Sequence, residues 1–262
     1  SIRRVLPSPD RGIKRYSLGR QGHRRMKNQY FGDINDYRKY GLLRTLQANG
    51  DGRLLVAWML TPDDGGPDGG FRSYLEDPDT WARYDHDLFV GLARLLDSAQ
   101  QPSVSLIEGA GLLPRTSYHS AVVPDARRER DAWRNGLLRA ASGVDLVFVD
   151  PDNGIEVPSK PVGRTGSSKY VTWIEIERLW QAGCSILIYQ HFRHERHESF
   201  AERMASELRD HTGAPFAEAL HTPHVLFLLA GQERHEARLR DAVSLLPHRW
   251  NGQIGLSNRD DR

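Results

Sequence analysis

The chain of 262 residues holds one cysteine, Cys184. A lone cysteine cannot close a disulfide within the chain or build a Cys-based zinc site, and a reducing compartment is the default for such usage. No apolar run approaches the roughly 20 residues that span a bilayer, so no membrane contact is expected. The first residues lack an apolar signal-peptide core, and a cytoplasmic location is expected. The Lys-Ser/Thr of a phosphate-binding P-loop is missing, and so is the His-Glu-x-x-His pair of a zinc protease. No internal repeat and no linker divide residues 26–262, which are expected to form a single α/β domain. Nothing in the chain reveals its oligomeric state.

The formal charge of +2 hides an asymmetry. Residues 1–25 carry eight Lys/Arg and one acid, so this segment is +7 and the remainder −5. With Pro, Gly and Ser but few apolar residues, it reads as a basic disordered tail. Such an arm could grip phosphates. The plainer expectation is that translation starts at Met26 and the tail is an upstream extension. The sequence pI near 8.7 owes much to this tail and does not argue for nucleic-acid binding.

From Met26 onward the chain alternates. Residues 34–47 (INDYRKYGLLRTLQ) place Ile34, Tyr37, Leu42, Leu43 and Leu46 near helical spacing, with Asp33 able to cap the start. Residues 54–60 (LLVAWML) predict a buried strand running into a Gly/Asp-rich loop. A helix is expected over 86–96, a short strand over 103–107 and a helix over 126–141. Residues 144–156 (VDLVFVDPDNGIE) follow: an apolar run rich in β-branched and aromatic residues that stops abruptly at turn residues. Such a run fits a strand buried on both faces. After a long loop through Lys169 come a helix over 172–182 capped by Thr172, a buried strand over 184–190 (CSILIYQ), a helix over 199–212 and a strand over 225–230 (VLFLLA). Strands separated by helix-length stretches indicate an α/β fold, a three-layer Rossmann-like sandwich with a mostly parallel sheet.

Polar groups at the carboxyl ends of such strands sit where open α/β sheets bind ligands. Asp150, Asp152 and Asn153, with Glu156 just beyond, could accept hydrogen bonds from an amine or ribose, act as a base, or hold Mg²⁺. Asp, Pro, Asn and Gly also make an ordinary type I turn. Tyr189-Gln190-His191-Phe192-Arg193 ends the next strand, where His191 could be a base or ligand and Arg193 a phosphate clamp. His191, His194 and His197 recur every three residues, but Arg193 and Arg196 would repel a cation. A solvated helix start is expected there. The loop 61–70 carries Asp63, Asp64, Asp68 and four glycines, and could be a ligand loop or merely flexible. In KNQYFGDINDYRKY, Tyr30 and Phe31 suit packing, while Asp36, Arg38 and Lys39 are open to ligand contact.

The helix with Asn35-Asp36-Tyr37-Arg38-Lys39-Tyr40, the strand into a Gly/Asp-rich loop and the later strand ending in Asp150-Pro151 resemble class I S-adenosylmethionine-dependent methyltransferases. The layout is most similar to bacterial adenine methyltransferases acting on 23S ribosomal RNA, and to the three-Cys-motif partner proteins. It covers most of residues 26–230. In those enzymes a strand ends in Asp-Pro-Pro-Tyr, whose acid and main-chain carbonyl accept from the target amine while the aromatic stacks on the base. Asp150 and Pro151 match the first two positions; Asp152 and Asn153 depart, which removes the aromatic. Thr61-Pro62-Asp63-Asp64-Gly65-Gly66 likewise departs from the family's Gly-x-Gly turn. The whole chain also resembles a bacterial and phage family with no assigned reaction.

The resemblance implies a methyl transfer from S-adenosylmethionine to an amine of a nucleic-acid base. The cofactor would lie near Trp58, Asp63, Asp64 and Glu108, with Glu108 placed at the end of the second strand to accept from ribose. Asp150, Pro151, Asp152, Asn153 and His191 form the expected catalytic group. Asp36, Arg38, Lys39, Lys169, Gln190 and Arg193 form the expected substrate contacts. Two other readings stay open. One is a metal-dependent nuclease or phosphodiesterase with Asp150, Asp152 and Glu156 on Mg²⁺ or Mn²⁺ and Lys169 or His191 assisting, although Glu156 and Lys160 lack the Glu-x-Lys spacing of restriction-type nucleases. The other is a non-catalytic, methyltransferase-like binding module of a phage or defence system.

Overall fold

The computed structural model describes residues 31–48, 50–61, 71–101 and 103–257. The basic tail, Asp63 and Asp64 lie outside the described residues. Asp33 starts the first helix, α1 (Ile34–Gln47), by accepting from the backbone N–H of Asn35 at 2.8 Å and Asp36 at 2.9 Å. These bonds satisfy two donors that a helix start otherwise leaves unpaired. The apolar run then gives strand β1 (Leu54–Ala57). It ends sharply, because Met59 adopts φ +48°, a left-handed conformation that costs a non-glycine residue about 1 kcal/mol or more.

A 3₁₀ turn (Ser73–Glu76) and three helices follow, α2 (Pro78–Trp81), α3 (His86–Ser98) and α4 (Ser105–Ala110). The strand expected over 103–107 is therefore a helix, closed by Gly111 at φ +67°. Its place in the sheet is taken by β2 (Thr116–His119), a partly exposed edge strand with no apolar run to announce it. Next come α5 (Arg127–Ala140) and β3 (Leu146–Val149). The long loop after β3 contains a two-strand ladder, β4 (Gly154–Ile155) with β5 (Tyr170–Val171). Helix α6 (Trp173–Gln181) carries a capping box between Thr172 and Glu175, as its Thr-x-x-Glu spacing requires.

The remainder is β6 (Ser185–His191), α7 (His197–Thr212), β7 (Phe216–His221), β8 (Val225–Gly231), α8 (Glu233–Arg249) and β9 (Gly255–Leu256). The seven-stranded sheet has the order β2-β1-β3-β6-β8-β7-β9. Pairings from β2 through β6 are parallel, whereas β8 is antiparallel to both β6 and β7, and β9 to β7. The sheet is thus mixed: β8 and β9 run against the other five.

Side chains alternate across a strand, and they build two cores here. Leu54, Val56, Leu146, Phe148, Phe227 and Leu229 pack with residues of α1, α3 and α8. Leu55, Ala57, Val147, Val149, Ile186 and Ile188 pack with residues of α5, α6 and α7. Helices therefore cover both faces. The chain leaves β1 for β2 on one side and returns to β3 on the other, so strand order reverses at β1. Crevices beside the carboxyl ends at such a reversal are where open α/β sheets place ligands.

Candidate functional site

The crevice at the carboxyl ends of β1, β3 and β6 is a cavity of about 420 Å³. Helix α1 supplies one wall. Because residues three apart share a helix face, Asp33, Asp36 and Lys39 all line it. Trp58, just past β1, and Tyr189, on β6, supply aromatic surface. The segment Asp150–Asn153 closes the end of β3, and His191 stands exposed at the rim.

Lys39 joins the walls. Its Nζ donates to Asp36 Oδ1 at 2.9 Å and to Asp150 Oδ2 at 2.8 Å. It also lies 5.1 Å from the Tyr189 ring centre and 6.0 Å from that of Trp58. The Lys39 side chain is only 10% exposed and that of Asp150 only 14%, so the charges interact with little screening. Burial opposes the Lys39 charge, yet the carboxylates of Asp150 and Asp36 outweigh it and hold the ammonium well above its ordinary range. Desolvation wins at Asp150: its carboxyl is pushed up to about 6 although Lys39 pulls the other way. Asp33 is also raised to about 6, by burial and then by Asp36. Burial raises the Tyr189 phenol as well. His191, although its outer edge reaches solvent, is lowered, first by the partial desolvation that the surrounding walls impose, with Asp152 opposing.

The turn after β3 is held by its neighbours. Thr61 Oγ1 donates to Asp152 Oδ2 at 2.8 Å. Asn153 donates its N–H to the Lys169 carbonyl at 2.9 Å. Gly154 adopts φ +113°, and a Cβ there would lie 2.3 to 2.5 Å from the Gln190 amide. That amide is fully used: its Oε1 accepts from the Ile155 N–H at 2.8 Å and its Nε2 donates to the His191 carbonyl at 2.9 Å.

Several residues expected to act at the site stand elsewhere. Gln190 is a buried brace behind the turn, and Lys169 meets the turn through its carbonyl. Arg193 is exposed and lies over the Phe200 ring at 5.9 Å. Glu108 is on α4 and not at a strand end. Its Oε1 accepts from Trp58 Nε1 at 2.8 Å and Ser120 Oγ at 2.5 Å, so it braces the indole from behind. Arg38 faces a second cavity. Asp36, Lys39, Trp58, Asp150, Pro151, Asp152, Asn153 and His191 do meet in the first. Sequence reasoning read Asp33 only as a cap and Tyr189 only as a neighbour of His191. Their shared signal was position, one turn or two residues from residues already singled out.

The carboxylates of the metal reading do not converge. Asp150 is engaged by Lys39, Asp152 by Thr61, and Glu156 accepts from the Trp173 N–H at 2.7 Å at the start of α6. Among the described residues no group of three His, Cys, Asp or Glu has metal-binding geometry.

A Ser-His-Asp chain sits at the opposite end of the sheet. Ser185 Oγ is 2.9 Å from His235 Nδ1, and His235 Nε2 is 3.1 Å from Asp145 Oδ1. Ser185 is fully buried, and its Oγ also accepts from the Gln232 N–H at 3.0 Å. Asp145 in turn takes the Arg53 N–H at 2.7 Å. The chain ties the amino ends of β3 and β6 to the start of α8. It is a clamp, with no route for a substrate to the serine.

No protein-family model matches this chain, and no curated protein matches it. Among solved structures, the crystal structure of protein LPL1258 from Legionella pneumophila str. Philadelphia 1, described as family-model DUF519, aligns at 10% sequence identity. The alignment covers 87% of this chain and 96% of that one, with a TM-score of 0.40.

Proposed function

We propose that the chain is a Rossmann-like methyltransferase, using S-adenosylmethionine as donor and a nucleic-acid base amine as acceptor. The observation that carries this reading is the acid at the strand-order reversal. Asp150, followed by Pro151, ends β3 inside a cavity walled by aromatic rings and by α1. The residues present suit the donor. Asp33, Asp36 and Asp150 outnumber the one ammonium, Lys39, among them, so the balance favours a sulfonium cation, and the Trp58 and Tyr189 rings suit a cation and a flat base. When bound, the donor supplies an electrophilic methyl group.

Asp150 would accept a hydrogen bond from the substrate amine, orient the nitrogen lone pair for attack, and receive the proton that the nitrogen loses as it is methylated. Lys39, itself held between Asp36 and Asp150, favours the ionised form of that carboxylate and fixes it, so little reorganisation remains for the reaction itself. Glu108, by gripping the indole of Trp58, fixes one aromatic wall. Methyl transfer requires Asp150 ionised, so the rate rises as pH increases through about 6.

Isothermal titration calorimetry of the full chain with S-adenosylmethionine and with its demethylated product tests the reading. One site per chain is expected, weakened at least tenfold in Trp58→Ala. Absence of binding by both compounds overturns it.

A further inference from the structure

A second cavity of about 590 Å³ opens on an adjoining face of α1, sharing Asn35 and Phe71 with the first. Arg38 lines it and is only 5% exposed. Its Nε and Nη2 donate to the neutral amide oxygen of Gln253 at 3.0 and 2.6 Å, and its Nη1 has no hydrogen-bond partner. Among the described residues no carboxylate stands within 4 Å of this guanidinium. The Asp33 carboxylate acts on Arg38 only from beyond that distance; a buried cation with no anion in contact is costly, and here it borders an open cavity.

The remaining walls are aromatic. Trp81 lies beneath the guanidinium at 5.7 Å, and Phe71 is 71% exposed, the most exposed large apolar side chain among the described residues. Ser73, Asp77 and His224 form the polar rim. The Asp77 carboxylate is turned to the Thr80 N–H at 3.2 Å, where it caps α2. His224 brings a potential donor to the rim.

We propose that this second cavity is a nucleotide subsite, in which Arg38 takes a phosphate oxygen and Phe71 with the edge of Trp81 takes the base. A guanidinium held by a neutral amide, with Nη1 left without a partner and no carboxylate in contact, suits an oxyanion by charge-assisted hydrogen bonding. An exposed ring beside it suits any flat base, which makes the subsite tolerant of base identity. The assignment goes beyond the methyl-transfer reading and does not depend on it.

Calorimetry of the full chain with uridine 5′-monophosphate, uridine and inorganic phosphate, with no S-adenosylmethionine present, tests the subsite. The nucleotide is expected to bind at least tenfold more tightly than either fragment. Arg38→Gln should erase its advantage over uridine. Ser73→Glu, an exposed change that sets a carboxylate at the rim, should do the same without touching the core. Equal binding of nucleotide and uridine, equal binding of nucleotide and phosphate, or undiminished nucleotide binding in Ser73→Glu each overturns the assignment.

Discussion

Replacing Lys39 by Met probes the centre of the first cavity. Methionine keeps much of the aliphatic stem and removes the ammonium that lies 2.9 Å from Asp36 and 2.8 Å from Asp150. Removing one partner of a buried pair costs roughly 3–5 kcal/mol, because the other charge stays buried and uncompensated. For a chain of this size that is on the order of 10 °C in melting temperature. The loss should depend on pH. The Asp150 carboxyl titrates at about 6 in the folded protein even with Lys39 present, against about 3.9 in an unfolded chain. The native state therefore holds an extra proton in this window, and the stability tied to that proton is present at low pH and lost as pH rises through the folded value. Without Lys39 the folded value climbs further, and the window widens upward. Urea denaturation followed by circular dichroism should show a small deficit for Lys39→Met at pH 5 and a large one at pH 8. Adding Asp150→Asn to Lys39→Met should recover at least about 1 kcal/mol at pH 8, a coupling typical of contacting groups. A deficit independent of pH, or no recovery in the double variant, refutes the electrostatic account.

Gly154→Ala should destabilise by roughly 2–4 kcal/mol in the same assay, since it combines a positive φ with a steric clash. Adding Gln190→Ala should relieve only the steric part, because the backbone conformation is unchanged. A fluorophosphonate serine probe should leave the folded chain unlabelled, as Ser185 is fully buried and its Oγ is already occupied. Labelling of Ser185 under native conditions would show that the clamp opens.

The strands β1, β3, β6 and β8 are legible in the sequence because each is a continuous apolar run. Hidden elements lack that mark. β2 reads TSYH, β7 reads FAEALH beside a charged helix end, and α8 has scattered apolar positions and Pro247 inside it. The stretch around Ser103 shows the opposite failure. A short strand is expected over 103–107, but Ile107 finds its core contact from a helix. At the site, position was legible at Asp150, where an apolar run stops at an acid. The roles of Gln190 and Glu108 were not, because each depends on a partner that only the fold supplies: Gly154 for one, Trp58 for the other. Arg38 and Lys39 are adjacent in sequence, yet they face different cavities on adjoining faces of the same helix.

Helix α1 has no room for a side chain at Gly41, where a Cβ would fall 1.8 to 2.7 Å from the Trp250 ring. Arg38 reaches Gln253 across 215 positions of sequence, and Lys39 reaches Asp150 across 111. Contacts so distant along the chain are slow to form, since a long loop must close first. During synthesis, then, the helix bearing both cavities emerges 215 positions ahead of its Gln253 partner and completes its packing only once residues 250–253 have left the ribosome. A chain stalled after β6 would hold Lys39 and Asp150 while leaving the Gly41 notch and the Arg38 guanidinium open to water.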